Sequence, residues 1–248
     1  MKLLLTSSGA RNASIQAALV DLLDKPIAES NALVVVTGIY PFAGGPYIAY
    51  KAICGEPQSP MTQSTMTQLG WKSVGLLELT ALPTIDNKTW SRAVEEADAI
   101  LVWGGDPVYL SHWMRESGLT DLLSTLPNLV YVGVSAGSMT VASTFGETYD
   151  SSPIDSNCVL TSRDIEFATP QGNTSRLFVT ARGAGFVDFA IVPHLNHPDH
   201  EDASLANAEK WASMLPVPVY AIDDQTAIRV KDGNIEVISE GDWRLFSP

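Results

Sequence analysis

The chain has 248 residues, of which 45% are hydrophobic and 17% are charged, and these proportions are typical of a globular protein with one sizeable core. Its formal net charge of −13 disfavours nucleic acids and anionic membranes as partners, because the negative charge of both would repel it. The two cysteines are too few for a disulfide framework and fit a reducing compartment.

The N-terminal segment MKLLLTSSGA turns polar after three consecutive leucines, so its apolar part is shorter than that of a signal peptide. No stretch of the sequence approaches the apolar length that a membrane span requires. We therefore expect a cytoplasmic protein with no membrane partner. Composition leaves the oligomeric state open between a monomer and a homodimer.

Apolar runs of strand length alternate with helical patterns along most of the chain. Asn12 can cap the first helix, Ala13–Leu23, whose apolar residues recur at helical spacing. Further helical patterns are KTWSRAVEEAD, VYLSHWMRESGLTDLL and EDASLANAEKWASML. Strands that are apolar throughout indicate a parallel sheet covered on both faces. The predicted strands are Lys2–Leu5, Ala32–Thr37, Ser73–Leu79, Ala99–Trp103, Leu129–Val132, Val187–Val192 and Val217–Ile222.

The C-terminal segment QTAIRVKDGNIEVIS holds two alternating runs around Asp232, Gly233 and Asn234, which is a hairpin pattern. We predict an α/β fold, a three-layer αβα sandwich with a mostly parallel central sheet and this antiparallel hairpin at its edge. Tyr40–Tyr47 and Ser59–Gln68 are predicted to form a long loop with a short helix, and the polar segment Glu147–Arg176 a second long loop. No repeat or linker divides the chain, which favours a single domain, residues 1–248.

The segment NLVYVGVSAGSMTVAS places a serine between two glycines where a predicted strand gives way to a helix. Gly133, Ser135 and Gly137 match the Gly-x-Ser-x-Gly pattern of a nucleophile elbow. Such a turn presents the serine hydroxyl above the carboxyl edge of the sheet, and the N–H of Ala136 can donate to a developing oxyanion. The plainer alternative is a tight turn with a capping serine.

A second glycine turn, in AILVWGGDPVYL, follows another predicted strand. Asp106 is placed to cap the next helix and Pro107 suits its first position. In a parallel sheet this turn lies on the same edge as Ser135, so the N–H of Gly105 is a candidate second oxyanion donor.

A serine nucleophile needs a base, usually histidine near neutral pH. Three of the four histidines lie in VDFAIVPHLNHPDHED, whereas His112 lies inside a helical pattern. His194 directly follows a predicted strand and Pro193, at a carboxyl strand end, and is the predicted base. The alternative is a metal site formed by the ligands His194, His197, His200, Asp199 and Asp202, although Pro198 interrupts any helix there. We predict neither a metal nor another cofactor.

The third member of such a site is a carboxylate that orients the imidazole. In elbow hydrolases it lies between the nucleophile and the histidine in the chain. Spacing does not choose among the acidic residues in that interval, which are Glu147, Asp150, Asp155, Asp164, Glu166 and Asp188.

Taken together, these features resemble the dipeptidase E family of serine peptidases, whose fold is similar to that of class I glutamine amidotransferases, with cyanophycinase a more distant relative. The matching segments are WGGDPVYL, GVSAGS, YDSSPID and DFAIVPHLNHP, in the same order, and VYAIDDQTAIRV looks like the C-terminal strands of the family. The resemblance implies Ser135 as nucleophile, His194 as base and Asp150 as the acid. The stretch from Asp150 to His194 is longer than in dipeptidase E and related peptidases use a glutamate, so Glu147 and Glu166 remain alternatives.

The family cleaves short peptides with an N-terminal aspartate, which implies a short-peptide substrate and a cation to bind its side chain. Candidates for that cation are Arg163, Arg176, Arg182, His197 and His200. Two other functions stay open: an esterase or amidase with the same machinery, and a catalytically inactive binding or regulatory member of the fold. Glutamine amidotransferase chemistry is disfavoured because the elbow carries serine where those enzymes carry cysteine.

Overall fold

The structure is a computed structural model that describes residues 1–55, 66–153 and 157–247. The loop predicted around Ser59–Gln68 lies largely outside these residues. The strands are β1 (Lys2–Thr6), β2 (Asn31–Val35), β3 (Ser73–Leu76), β4 (Ala99–Val102), β5 (Val130–Val134), β6 (Thr144–Tyr149), β7 (Val159–Thr169), β8 (Gly172–Arg182), β9 (Ala190–Val192), β10 (Val219–Ile222), β11 (Thr226–Lys231), β12 (Asn234–Ser239) and β13 (Trp243–Phe246).

The largest sheet has the strand order β12-β11-β1-β5-β4-β2-β3. The five adjacent strands β1, β5, β4, β2 and β3 are parallel to one another. Strand β11 pairs antiparallel with both β1 and β12. Asp232 and Gly233 both have positive φ in the turn between β11 and β12, as a two-residue hairpin of this kind requires. The predicted mostly parallel sheet with a C-terminal hairpin at its edge is therefore confirmed.

Helices cover both faces of this sheet, and alternate residues of β1 divide between two apolar clusters. Leu4 packs with residues of α1 and α2, whereas Leu3 and Leu5 pack with residues of α3, α4 and α5. Each layer exists because a fully apolar strand must bury both of its faces. The helices are α1 (Ala13–Leu23), α2 (Gly45–Cys54), α3 (Asn87–Glu95), α4 (Pro107–Glu116), α5 (Leu119–Ser124), α6 (Ala136–Met139) and α7 (Leu205–Ala212).

Local sequence explains where several of these helices begin and end. The Asn12 side chain accepts a hydrogen bond from the N–H of Ile15 and caps α1 as predicted. Asp106 caps α4 through the N–H of Tyr109, and Pro107 takes the first helical position. The pattern predicted as one helix over VYLSHWMRESGLTDLL is two helices, because Gly118 adopts a φ of +77° between α4 and α5.

The prediction of a long loop over Glu147–Arg176 is wrong for most of that segment. Strands β6, β8 and β7 form an antiparallel sheet in that order, with a tight turn at Pro170 and Gln171 between β7 and β8. The segment is polar because β7 is exposed along most of its length and buries only Ile165 and Phe167, and this polarity resembles that of a loop.

The predicted strands near residues 187–192 and 217–222 also lie outside the main sheet. They form β9 and β10, which pair in parallel and join the antiparallel β13 in a third sheet. Within the described ranges, no helix combines the length and the apolar character needed to cross a bilayer.

The topology brings several chain segments to one edge of the main sheet. Strands β4, β5 and β1 are adjacent and parallel, so the turns that follow them begin side by side. The segments after β9 and β10 approach the same edge, as their contacts with Ser7 and Ser135 demonstrate.

Candidate active site

Ser135 stands on a sharp turn between β5 and α6. Its backbone has φ 51° and ψ −117°, a conformation that residues with a side chain rarely adopt. The turn is held by the N–H of Ser135, which donates to the carbonyl of Thr6 at 3.0 Å. Since α6 begins at Ala136, the N–H of that residue has no acceptor within the helix and lies next to the Ser135 side chain.

The flanking glycines are required by close backbone approach. A Cβ on Gly133 would lie 2.8 Å from Gly137, and one on Gly137 would lie 2.1 Å from the carbonyl oxygen of Val102. Any larger residue at either position would push the strand and the helix apart. The two glycines therefore allow the strand, the turn at Ser135 and the helix to approach one another closely.

The glycine turn after β4 lies against the same serine. A Cβ on Gly104 would lie 3.0 Å from the Cβ of Ser135. Gly105 has a φ of +119°, and a Cβ there would lie 2.1 Å from the carbonyl oxygen of Gly38. Gly105 also lines the cleft that contains Ser135. The glycine turn and Ser135 therefore lie together at one edge of the main sheet.

His194 follows β9 and reaches the serine hydroxyl directly. Its Nε2 lies 3.0 Å from Ser135 Oγ, and its Nδ1 lies 2.9 Å from Asp224 Oδ1. The backbone N–H of His194 donates to Ser7 Oγ at 2.7 Å. With Nδ1–H donating to the carboxylate, Nε2 is left as an acceptor for the serine hydroxyl, which is the tautomer that general-base chemistry needs.

Asp224 lies in the short segment between β10 and β11, and its side chain is only 16% exposed. Burial acts to raise the pKa of its carboxyl, but hydrogen bonds from His194, Ser8 and Ser7 outweigh burial and hold that pKa well below its usual value. Ser7 Oγ donates to Oδ1 at 2.9 Å. The carboxylate is therefore ionised at neutral pH and oriented by several donors.

The structure pairs the imidazole with Asp224 instead of Asp150, the carboxylate predicted from the resemblance. Asp150 is 87% exposed and lies 3.0 Å from Nε of Arg176, because β6 ends just before it and carries its side chain to the mouth of the cleft. Neither alternative acid takes the position beside His194. Glu147 accepts a hydrogen bond from its neighbour Thr148, and Glu166 lies exposed on β7.

Three histidines, His194, His197 and His200, lie near the Asp224 carboxylate. His194 and His200 stack face to face with ring centroids 4.0 Å apart, and Nε2 of His197 lies 3.7 Å from Asp224 Oδ2. Stacked rings direct their nitrogens sideways and not toward a shared point. The part of the chain that the structure describes contains no group of three or more His, Cys, Asp or Glu residues arranged to hold a metal ion.

A cleft of about 540 Å³ opens beside Ser135 and His194. One wall carries Arg176, which pairs with Asp150 and, at 3.5 Å, with Asp202. Burial raises the pKa of the nearby Glu147 carboxyl to about 8, and the charges of Asp202 and Asp106 act in the same direction. Burial also raises the pKa of Asp106, whose Oδ1 accepts a hydrogen bond from the Tyr149 hydroxyl at 3.1 Å.

Comparisons with known proteins identify a family and a fold. The sequence matches the model of peptidase family S51 over residues 57–238. The fold is similar to that of a "Putative Peptidase E Protein from Listeria monocytogenes EGD-e", with a TM-score of 0.62, 15% identity and coverage of 97% of this chain and 98% of the other. It is also similar to a peptidase from an acI-B1 Actinobacterium, with a TM-score of 0.61, 17% identity and coverage of 99% and 93%. At these identities the two structures establish the fold alone, and no curated protein matches the sequence.

Proposed function

The chain belongs to peptidase family S51, and we propose that it is a serine-type exopeptidase that hydrolyses short peptides through Ser135, His194 and Asp224. The membership confirms the resemblance to the dipeptidase E family. One observation carries the assignment of residues: Ser135 Oγ, the His194 ring and the Asp224 carboxylate form a continuous hydrogen-bonded line, with distances of 3.0 and 2.9 Å.

In the proposed reaction Ser135 Oγ attacks the scissile carbonyl carbon while His194 Nε2 takes the hydroxyl proton. The N–H groups of Gly105 and Ala136 are the proposed donors to the oxyanion. His194 then gives the proton to the leaving amine as the C–N bond breaks, which leaves an acyl group on Ser135. A water molecule, deprotonated by His194, hydrolyses this ester and frees the serine.

The same machinery serves esters and amides, so substrate class must be tested directly. We expect Ser135→Ala to lower kcat by about 10³- to 10⁶-fold on every hydrolysed substrate. The measurement is a screen of dipeptides and simple esters against wild type, Ser135→Ala and the control Ser152→Ala, which removes an exposed hydroxyl. Full activity in Ser135→Ala would disprove the nucleophile. Failure of a fluorophosphonate to label wild-type Ser135, with no hydrolysis in the screen, would favour a binding or regulatory role.

We further propose that Arg176 binds the side chain of an N-terminal aspartate, the preference implied by the resemblance. Of the arginines considered from the sequence, Arg176 lines the cleft, whereas Arg163 and Arg182 are exposed on β7 and β8. A substrate carboxylate would replace Asp150 on this arginine. The exchange has a low energetic cost, because Asp150 is 87% exposed and ion pairs at the surface are weak.

Arg176→Gln is therefore expected to raise the KM for Asp-X dipeptides by about 10-fold or more, because a hydrogen-bonded charge pair is lost. It should change the KM for neutral dipeptides by less than about 3-fold, in line with a weak surface ion pair. Steady-state kinetics with both substrate types provides the measurement, and Arg163→Gln is the matched control. Equal losses on both types would show that Arg176 supports the fold of the cleft and does not select the substrate.

The short-peptide partner and the cytoplasmic location remain predictions.

A further inference from the structure

The loop after β9 places a second imidazole flat against the ring of His194. The His194 and His200 ring centroids are 4.0 Å apart and their planes differ by only 6°. A planar ring at this separation covers one face of its neighbour and opposes tilting of that neighbour out of its plane. In this stacked arrangement Nε2 of His194 contacts Ser135 and Nδ1 contacts Asp224.

The main chain fixes the position of His200. Its N–H donates to the carbonyl of His197 at 3.0 Å, and its own carbonyl accepts from the N–H of Ala203 at 2.9 Å. The N–H of Asn196 donates to the Ala203 carbonyl at 2.8 Å and closes the loop. The stacked ring is therefore carried by consecutive hydrogen-bonded turns.

His194 gains from such support because its hydrogen bonds with Ser135 and Asp224 act within the plane of the ring. The contacts at Nε2 and Nδ1 both run along the ring edge, so they resist out-of-plane tilting only weakly. The His194 backbone has a φ of 59°, which is unusual for a residue with a side chain. A contact on the ring face supplies the constraint that the two edge contacts lack.

We propose that His200 is a positioning residue, whose ring holds the plane of His194 so that Nε2 stays directed at Ser135 Oγ during proton transfer. The catalytic consequence rests on the proposed function, whereas the geometric one does not. Because the contact uses the ring face, a phenyl ring at position 200 should replace the imidazole.

The electrostatics of the pair are compatible with this role. Burial against its neighbours lowers the pKa of His200, and the charges of His194 and His197 act in the same direction, while Asp202 and Asp224 oppose them. His200 is therefore uncharged at neutral pH. An uncharged ring does not repel the positive charge that His194 acquires when it takes the serine proton.

The test compares His200→Ala, which removes the ring, with His200→Phe, which keeps a flat face. His112→Ala is the control, since it removes a histidine that contacts Trp113 on α4, outside the cleft. Two quantities are measured for each protein. The first is kcat and KM on the best dipeptide. The second is the downfield ¹H NMR signal of the proton between His194 Nδ1 and Asp224, which does not depend on turnover.

His200→Ala is expected to lower kcat about 5- to 10-fold, the scale of one lost aromatic pair, with a smaller change in KM. It should also broaden the Nδ1 proton signal. His200→Phe should recover kcat to within about 2-fold of wild type, because the stacked face is restored, and should recover the sharp signal.

Unchanged kcat and an unchanged signal in His200→Ala would overturn the proposal, and so would a phenylalanine variant that behaves like the alanine one. If wild type hydrolyses nothing, the proposed function fails. The Nδ1 signal then still decides whether His200 positions the ring.

Discussion

Two carboxyl groups near the candidate nucleophile differ in ionisation although burial acts on both in the same direction. Asp224 has its pKa held below the usual value, whereas the pKa of Glu147 is raised to about 8. Asp224 accepts hydrogen bonds from His194 and Ser7, and His197 approaches its second oxygen. Glu147 accepts one bond from the N–H of Thr148 and faces the carboxylates of Asp202 and Asp106.

At Asp224 the hydrogen-bond donors together outweigh burial, whereas at Glu147 burial is the largest cause and one backbone donor does not offset it. The two groups also affect stability with opposite pH dependence. The stabilisation from Asp224 is present above the ordinary pKa of 3.8 and is lost as the pH falls below it. The stabilisation from protonated Glu147 is present below 4.5 and is lost as the pH rises from 4.5 to about 8.

The largest expected effect comes from removing the charge of Asp224. Asp224→Asn should lower kcat about 10³- to 10⁴-fold, because an amide no longer holds the Nδ1–H tautomer or stabilises the imidazolium. Steady-state kinetics on the best dipeptide, with circular dichroism to verify folding, measures this loss.

Asp150→Asn tests the rival acid under the same conditions. Since Asp150 contacts Arg176 and is largely exposed, its replacement should change KM more than kcat. If Asp150→Asn lost as much kcat as Asp224→Asn, or if Asp224→Asn stayed fully active, the assignment of Asp224 would be wrong.

The contact between His194 and Asp224 does not follow from the sequence pattern, and the reason is specific. The sequence predicts that Ser135, His194 and the Gly104–Gly105 turn meet at one sheet edge, because each lies at the end of an apolar strand. The chain order of elbow hydrolases places the acid between the nucleophile and the histidine, whereas Asp224 lies 30 residues beyond His194.

The segment AIDDQT did contain a usable signal, since it places two acidic residues directly after a predicted strand. Sequence does not separate them, because only the tertiary contacts differ. Asp223 accepts from the N–H groups of Gln225 and Asp242 and shapes the turn, whereas Asp224 turns toward His194.

The fold was predictable where burial is two-sided and less so where it is one-sided. The strands β1, β2, β4 and β5 are apolar at nearly every position and were located to within a few residues. β7 is exposed along most of its length and holds Ser162, Arg163 and Asp164 in succession, so its sequence resembles a loop. Its pairing with β8 depends on partners that no local pattern reveals.

A smaller effect is expected from Glu147, and it concerns stability instead of turnover. Glu147→Gln keeps an acceptor for the Thr148 N–H but cannot ionise. The wild-type free energy of unfolding should therefore fall between pH 5 and pH 8 by about 2–4 kcal/mol more than that of the variant, since each pKa unit corresponds to about 1.4 kcal/mol. Urea unfolding followed by circular dichroism at the two pH values gives this difference.

Glu166→Gln is the matched control for this measurement, because Glu166 is exposed on β7 of the same sheet and its replacement should leave the pH dependence unchanged. Parallel pH dependences for wild type and Glu147→Gln would mean that the pKa of Glu147 is not raised. Glu147 and Asp224 would then both be ionised at neutral pH. A shallower dependence in Glu147→Gln alone would mean that this wall of the cleft carries a neutral carboxyl. The neutral form matters for substrate binding, because it leaves less negative charge beside Arg176 to repel an anionic side chain.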